Sequence, residues 1–316
     1  LLTDNRIWKQ RTVGIGVVRI VQTHADLIAA RAGRPVVITA VSARDPKKNR
    51  DADLSGYAWE TDPVALAKRD DVDVFVEVMG GHDGPAKAAT EAAIASGKDV
   101  VTANKALLAH HGQALAEAAE AAGRVIRFEA AVAGGIPVIK ALTEGLAANR
   151  MRRVMGVMNG TCNYILTRMQ NAGLPYETVF EEARQLGYLE ADPNLDVGGI
   201  DAGHKLSLLA SIAFGTKVSF DNVELEGIGN VSIDDIRMAD DMGYHIKLLG
   251  VAQMTGRGLE QRMTPCLVRA ESPLGQLQGG TNMVVLEGDS VGQIVMRGPG
   301  AGQGPTASAI MGDVVD

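Results

Sequence analysis

Short apolar runs alternate with segments of helical periodicity through the first part of the chain. Runs rich in Val and Ile predict strands at residues 36–41, 72–79, 99–103 and 125–130. Helical patterns cover residues 17–28, 85–96 and 105–122, and Pro63 predicts the first turn of a further short helix. Strands that alternate with helices form right-handed βαβ units, so this part of the chain is predicted to build a parallel sheet.

The pattern changes after Gly134 and Gly135. Helices are predicted at residues 136–148, 164–171, 175–186, 206–214 and 306–315. Strands are predicted at residues 154–158, 246–254, 261–270, 282–287 and 291–296, the last four of them antiparallel. We therefore predict two domains, one of residues 1–133 to which residues 300–316 return, and an α+β domain of residues 134–299.

Composition restricts the class of protein. The chain has 316 residues, of which 46% are hydrophobic and 22% charged, enough for a sizeable core. A net charge of -7 argues against a nucleic-acid partner or an acidic membrane surface. No apolar run reaches the roughly 18 residues that span a bilayer, and the start does not resemble a signal peptide. Cys162 and Cys266 form neither a disulfide framework nor a zinc site, so we expect a cytoplasmic protein.

Polar and glycine-rich residues follow the predicted strands of the first domain. They are Ser42-Ala43-Arg44, Met79-Gly80-Gly81, Thr102-Ala103-Asn104-Lys105 and Glu129. Because ligands bind outside the carboxyl ends of parallel strands, this set predicts a nucleotide site in a Rossmann-like domain. The alternative interpretation is structural, with Gly80-Gly81 as an ordinary turn and Lys105 as a solvated helix start.

One lysine of the second domain is predicted to face inward beside an acid. Asp201 and Lys205 are four residues apart just before the apolar run 206–214, so they share a face if that helix extends back to them. Lys205 also aligns with the apolar positions three, four and seven residues later, and a buried lysine needs a partner. The alternative is an ordinary surface ion pair, which such spacing more often produces.

Seven motifs occur in order along the chain. They are Thr12-Val13-Gly14, Val78-Met79-Gly80-Gly81, Val101-Thr102-Ala103-Asn104-Lys105, Asn159-Gly160-Thr161-Cys162-Asn163-Tyr164, Gly187-Tyr188-Leu189-Glu190-Ala191-Asp192-Pro193, Asp201 with Lys205, and Gly300-Ala301-Gly302 with Pro305-Thr306-Ala307-Ser308. With these motifs the chain resembles the homoserine dehydrogenase family over nearly its whole length. The resemblance implies NAD(P)H-dependent interconversion of L-aspartate 4-semialdehyde and L-homoserine, on the path to threonine, isoleucine and methionine.

The resemblance also assigns roles to residues. It makes Lys205 the general acid, with Asp201 orienting it and Lys105 close to nicotinamide and substrate. The implied substrate-binding residues are Glu190, Asp196, Gly187 and Tyr188. This agrees with the chemistry, because hydride addition to an aldehyde places negative charge on its oxygen, and an ammonium beside that oxygen can donate a proton.

Cofactor, metal and assembly follow from the same resemblance. The implied cofactor-binding residues are Thr12, Val13, Gly14, Arg44, Gly80, Gly81, Thr102, Lys105 and Gly302. A structural sodium ion is implied at Glu129 and the backbone carbonyls of Val132, Gly134 and Ile136. The family is typically dimeric, so we expect a homodimer.

The start of the chain departs from the dinucleotide-binding fingerprint. When the chain is aligned on Gly14, the first two glycines of the fingerprint correspond to Lys9 and Arg11. Side chains at both positions would crowd the pyrophosphate. We interpret residues 1–11 as a non-native start; the alternative is that nucleotide binding is compromised.

A basic cluster follows the second predicted strand. Arg44, Lys47, Lys48 and Arg50 stand where NAD enzymes tend to place an acid, which predicts NADP(H) over NAD(H). Asp45 lies within the cluster, and the alternative is a solvated basic loop.

Two other functions remain open, and one regulatory property is expected to be absent. A thioester-forming semialdehyde dehydrogenase would use Cys162, which is otherwise a small packed residue. A non-catalytic relative would fit the incomplete glycine loop. The sequence ends after the predicted last helix, without the regulatory domain that many relatives append, so we expect no inhibition by threonine.

Overall fold

The computed structural model describes residues 13–45, 50, 52–189 and 192–316. The chain divides into two compact units. The first contains the described residues up to Gly135 together with Ala301–Asp316, and the second contains Ile136–Gly300.

The first unit alternates strands and helices. Its elements are α1 (Val13–Thr23), α2 (Ala25–Ala32), β1 (Ala40–Ser42), β2 (Ala58–Glu60), α3 (Pro63–Ala67), β3 (Val74–Glu77), α4 (Pro85–Ala95), β4 (Asp99–Thr102), α5 (Lys105–Ala121), β5 (Ile126–Arg127), α6 (Glu129–Val132) and, from the end of the chain, α13 (Gln303–Val315). The pairs β1–β2, β3–β4 and β4–β5 are all parallel. The predicted Rossmann-like parallel fold is confirmed.

The paired strands β3 and β4 have hydrophobic clusters packed on both faces, which explains why their sequences are almost continuously apolar. Phe75 of β3 packs into a cluster with Leu66 and Leu107. The alternate residues Val74 and Val76 pack into a second cluster, which α13 shares. Because packing covers both faces of β3, the carboxyl ends of the strands are where a ligand of such a sheet is expected to bind.

Two predictions for the beginning of this unit are wrong in detail. The strand predicted at residues 36–41 is only Ala40–Ser42, because Val37 is 72% exposed and the apolar run is not buried throughout. The helix predicted at residues 17–28 begins at Val13 and is interrupted at His24, whose ψ of 28° leaves the helical region. Strand β2, which pairs with β1, was not predicted.

The second unit contains a six-stranded sheet of order β11-β10-β6-β8-β9-β7. Its elements are α7 (Val138–Lys140), a π-helical turn (Ala141–Gly145), β6 (Met151–Val157), α8 (Gly160–Ala172), α9 (Tyr176–Gln185), α10 (Pro193–Val197), α11 (Ile200–Phe214), a 3-10 turn (Phe220–Asn222), β7 (Glu224–Leu225), α12 (Ile233–Asp241), β8 (Tyr244–Thr255), β9 (Gly258–Arg269), β10 (Thr281–Gly288) and β11 (Gly292–Pro299). The four predicted antiparallel strands are confirmed, and β7 joins β9 in parallel.

Two helical segments of this unit differ from prediction. The helix predicted at residues 136–148 is a short turn of α-helix followed by the π-helical turn Ala141–Gly145. Helix α12 was not predicted, although Ser232 and Asp235 form a capping box at its start.

Within the described part of the chain, no single helix is long and apolar enough to cross a membrane. Among the described helices, the pair α1 and α2 meets that criterion when taken together, and it is bent by 85°.

Candidate active site

Lys205 lies on the buried face of α11, as its spacing predicts. The residue is 9% exposed, and its Nζ lies 2.9 Å from Asp201 Oδ2, one helical turn earlier. Nζ also donates to the carbonyl of Met158 at 2.9 Å. An ammonium has three donors, so two have partners among the described residues and one can serve a ligand. The inward position, rather than a surface ion pair, is confirmed.

Asp196 is tied to the residue that follows Met158. Its Oδ1 accepts a hydrogen bond from Asn159 Nδ2 at 3.0 Å, and the carboxylate is buried. Asn159 is also the N-cap of α8, since its Oδ1 accepts from the Cys162 backbone N–H. Lys205 and Asp196 therefore attach to consecutive residues, where β6 ends and α8 begins.

Cys162 lies in the first turn of α8, next to this junction. Its side chain is fully buried, and Sγ donates to the Asp196 carbonyl at 3.2 Å. Burial raises the pKa of the Cys162 thiol well above its ordinary value, and the charges of Asp196 and Asp201 raise the pKa further. Such a thiol is packed and protonated at neutral pH, which disfavours a nucleophilic role.

Gly187 and Tyr188 border the same helix start. Gly187 has a φ of 72°, which only glycine adopts easily after a helix. The Tyr188 carbonyl accepts from Thr161 Oγ1 at 3.0 Å, and its ring stacks on Tyr164 with centroids 4.5 Å apart. Glu190, the predicted partner of the substrate's amino group, lies outside the described residues.

In the first unit, the predicted cofactor-binding residues lie at the carboxyl ends of β3 and β4. Gly80 and Gly81 have φ of 80° and 82°, and no atom lies within 4 Å of where a Cβ on Gly80 would stand. Thr102 ends β4, and Lys105 is the first residue of α5. A backbone turn of glycines facing open space is the kind of surface that a dinucleotide can approach closely.

Gly14 and Gly302 lie at the starts of two helices of this unit. Val13 and Gly14 open α1, where Gly14 is buried, and Gly302 with a φ of 120° is the N-cap of α13. The two helices pack so closely that a Cβ on Gly16 would stand 2.8 Å from that of Ala307. Thr12, Lys9 and Arg11 lie outside the described residues.

The predicted basic cluster is only partly described. Arg44 is exposed just after β1. Arg50 lies over the Trp59 ring at 5.3 Å and donates to the Asp45 carbonyl at 2.6 Å. Lys47 and Lys48 lie outside the described residues.

The four residues of the predicted sodium site are buried. Glu129 and Val132 begin and end α6, and Gly134 follows with a φ of 59°. Ile136 is the first residue of the second unit. A buried carboxylate and the carbonyls after a helix end are hard oxygen donors, which suit sodium. Among the described residues, no group of three or more His, Cys, Asp and Glu side chains is arranged to hold a metal, but the predicted set is mostly backbone carbonyls.

Comparison with known proteins identifies the family. The model for the NAD-binding domain of homoserine dehydrogenase matches residues 12–129, and the homoserine dehydrogenase model matches residues 137–315. The chain belongs to the homoserine dehydrogenase family. It is therefore an oxidoreductase with a nicotinamide-cofactor domain, and the predicted family and enzyme class are confirmed.

Individual relatives agree with this assignment. Homoserine dehydrogenase of Neisseria gonorrhoeae is 45% identical over 305 residues, which are 96% of this chain and 70% of that protein. The structure of the Thiobacillus denitrificans enzyme gives a TM-score of 0.93 at 43% identity, with 96% and 70% of the two chains covered. A hyperthermophilic archaeal homoserine dehydrogenase in complex with NADPH gives 0.71 at 25% identity, covering 86% of this chain and 79% of that one.

Several residues of the site were not singled out from the sequence. Asn159 and Thr161 belong to a quoted motif, but only the structure links them to Asp196 and Tyr188. Glu77 is fully buried at the end of β3. The sequence could have predicted this burial, because Glu77 lies two residues after Phe75 in an apolar strand and so shares its buried face.

Proposed function

We propose that the protein catalyses the NAD(P)H-dependent interconversion of L-aspartate 4-semialdehyde and L-homoserine. The observation that carries this proposal is the buried Lys205, held by Asp201 and the Met158 carbonyl in a chain of this family. A bound nicotinamide cofactor supplies hydride to the aldehyde carbon in one direction and accepts it in the other.

Lys205 acts as the general acid. As the carbonyl carbon is reduced, charge develops on its oxygen, and the remaining donor of Lys205 can stabilise and protonate that oxygen. Asp201 and Met158 orient the ammonium with two fixed bonds, so little rearrangement is needed when charge develops. In the oxidation of homoserine, Lys205 receives the proton back.

The residues around Lys205 bind the amino acid. Glu190 pairs with the substrate's ammonium, and Asp196, Gly187 and Tyr188 form the surrounding wall. The fixed Asn159–Asp196 bond supports this assignment, because it holds a carboxylate at the same strand end as Lys205. Lys105, the first residue of α5, is the third residue of the proposed catalytic set.

The first unit binds the cofactor, with NADPH preferred. Gly80, Gly81, Thr102 and Gly302 would hold it at the strand and helix ends, where glycine backbone faces open space at Gly80. The exposed Arg44 after β1 supports recognition of the 2′-phosphate, since a guanidinium pairs well with phosphate.

A sodium ion at Glu129, Val132, Gly134 and Ile136 would have a structural role, and no step of the reaction passes through it. The second unit would also supply the surface of a homodimer. Its long strands and the position of Lys205 make it the catalytic and dimerisation domain in this proposal.

The test is homoserine oxidation with NADP⁺ by wild type and by Lys205→Ala. We expect kcat to fall about 10²–10⁴-fold, the usual contribution of a general acid. Lys87→Ala is the matched control, because Lys87 and Glu91 form an i,i+4 pair on α4 that lies at the surface. Full activity of Lys205→Ala would contradict the role of Lys205, and a wild type inactive towards homoserine would contradict the reaction.

A further inference from the structure

Glu77 is a fully buried acid whose partners are uncharged hydrogen-bond donors. It is the last residue of β3 and 0% exposed. Oε1 accepts from the Met79 backbone N–H and Oε2 from Thr102 Oγ1, both at 2.6 Å. One carboxylate thus joins the ends of two neighbouring strands. A buried acid at this position is costly unless its oxygens are fully bonded.

The hydrogen bonds continue into a closed circuit. Thr102 Oγ1 accepts from the Asn104 backbone N–H at 3.0 Å. The Asn104 side chain donates from Nδ2 to the Gly81 carbonyl at 2.7 Å and caps α5 by accepting from Leu107 N–H. Gly81 lies two residues after Met79, so the circuit returns to the loop where it began.

The arrangement suits an ionised carboxylate. Burial raises the pKa of Glu77, and the hydrogen bonds from Thr102, the Met79 and Gly80 backbone N–H groups and the Asn104 side chain oppose that rise by favouring the charged form. An ionised carboxylate only accepts hydrogen bonds, and these partners only donate to it. In Glu77→Gln, the amide NH2 would replace one of the two accepting oxygens, so two hydrogen-bond donors would face each other there.

The two segments that this circuit joins are the ones assigned to the cofactor. Gly80 faces open space, and Lys105 directly follows Asn104. We propose that Glu77 is a positioning residue for the nicotinamide cofactor, locking the Met79–Gly81 loop to the Thr102–Lys105 turn. It rests on the proposed placement of the cofactor at these strand ends. Backbone groups that meet a ligand must be held within a fraction of an ångström, which a fully bonded carboxylate achieves.

The test compares two isosteric changes at buried threonines of the first unit. Thr102→Val removes the hydroxyl that Glu77 accepts from, whereas Thr90→Val removes one that donates to the Ala86 carbonyl within α4. Thr90→Val loses one buried hydrogen bond and Thr102→Val loses two, because Thr102 Oγ1 also accepts from the Asn104 N–H, so Thr102→Val should lose more thermal stability. We expect the Kd for NADPH, followed by cofactor fluorescence without substrate, to rise at least tenfold in Thr102→Val and less than twofold in Thr90→Val.

Glu77→Gln completes the test. It should weaken NADPH binding like Thr102→Val, and because Glu77 is 0% exposed, this loss cannot come from a direct contact with the cofactor. Equal Kd values in Thr102→Val and Thr90→Val would overturn the role of Glu77, whether or not Glu77→Gln folds. Wild type that does not bind NADPH would instead contradict the proposed function.

Discussion

Two buried lysines of the second unit meet the cost of burial in different ways. Lys205 has a carboxylate partner in Asp201. Lys247 is 1% exposed and donates to neutral oxygens, the Asn163 Oδ1 at 3.1 Å and the Leu277 carbonyl. Burial disfavours the charged form of a lysine that has no carboxylate partner, and it lowers the pKa of Lys247 to about 8.

The stability of the protein should therefore depend on pH through Lys247. Its folded pKa of about 8 lies below the ordinary value of 10.5, so between these values the unfolded chain binds more protons. The free energy of unfolding should rise with pH in this window, by about 2 kcal/mol from this group between pH ~7.5 and pH ~9.5. Urea unfolding of wild type and Lys247→Met at the two pH values measures the difference.

Lys68→Met is the control for that experiment, because Lys68 is exposed at the end of α3. It should keep the pH dependence of wild type, whereas Lys247→Met should lose it. If all three proteins gave the same change with pH, Lys247 would not be the responsible group.

Cys162 should be dispensable for turnover. Cys162→Ser keeps a small group that can donate to the Asp196 carbonyl, and the buried thiol is poorly ionised. We expect kcat within about threefold of wild type, since hydride transfer with Lys205 as the general acid needs no nucleophilic thiol. Loss of all turnover in a folded Cys162→Ser protein would favour the thioester-forming alternative.

Thiol labelling of the native protein gives a second measure. Cys266 is part-exposed and Cys162 is buried, so an alkylating reagent should modify Cys266 first. Rapid modification of Cys162 in the folded protein would contradict its buried position.

At the scale of elements, the packing of α1 on α13 depends on one glycine. A Cβ on Gly16 would lie 2.8 Å from Ala307 Cβ and 2.9 Å from the Gln303 carbonyl. Gly16→Ala should therefore destabilise the protein by about 1–3 kcal/mol, the usual cost of overpacking. Chemical denaturation measures this change.

Gly304→Ala is the matched control within the same pair of helices. Gly304 lies in the first turn of α13, and a Cβ there meets no atom within 4 Å. The change should be neutral or stabilise by up to about 1 kcal/mol, because alanine loses less conformational entropy in a helix. Equal effects of the two substitutions would show that α1 does not depend on close contact at Gly16.

At the scale of the whole molecule, cofactor binding should stabilise the native state. NADPH at about a hundred times its Kd should add about 2.7 kcal/mol, provided that it binds only the folded chain. Because Arg44 is exposed after β1, NADPH should protect at lower concentration than NADH. Thermal unfolding with each cofactor measures both effects, and equal protection by the two would contradict the NADPH preference.

Much of the fold follows from local pattern. The period of two and the helical period locate most strands and helices, because side-chain burial repeats with the geometry of each element. The spacing of Asp201 and Lys205 likewise gives their ion pair, since four residues make one helical turn. The motifs add the family, which a pattern of hydrophobicity alone does not contain.

Other features depend on residues far apart in the chain. The break at His24, the short β1 and its pairing with β2 follow from which part of each apolar run is buried. The carboxylate of Glu77 meets Thr102 across 25 residues, and Lys205 meets Met158 across 47. The sequence alone thus determined the elements, the inward lysine and the family, because these depend on neighbours along the chain. Only the tertiary structure decided what the buried charges touch, because those partners come together only when separate elements pack.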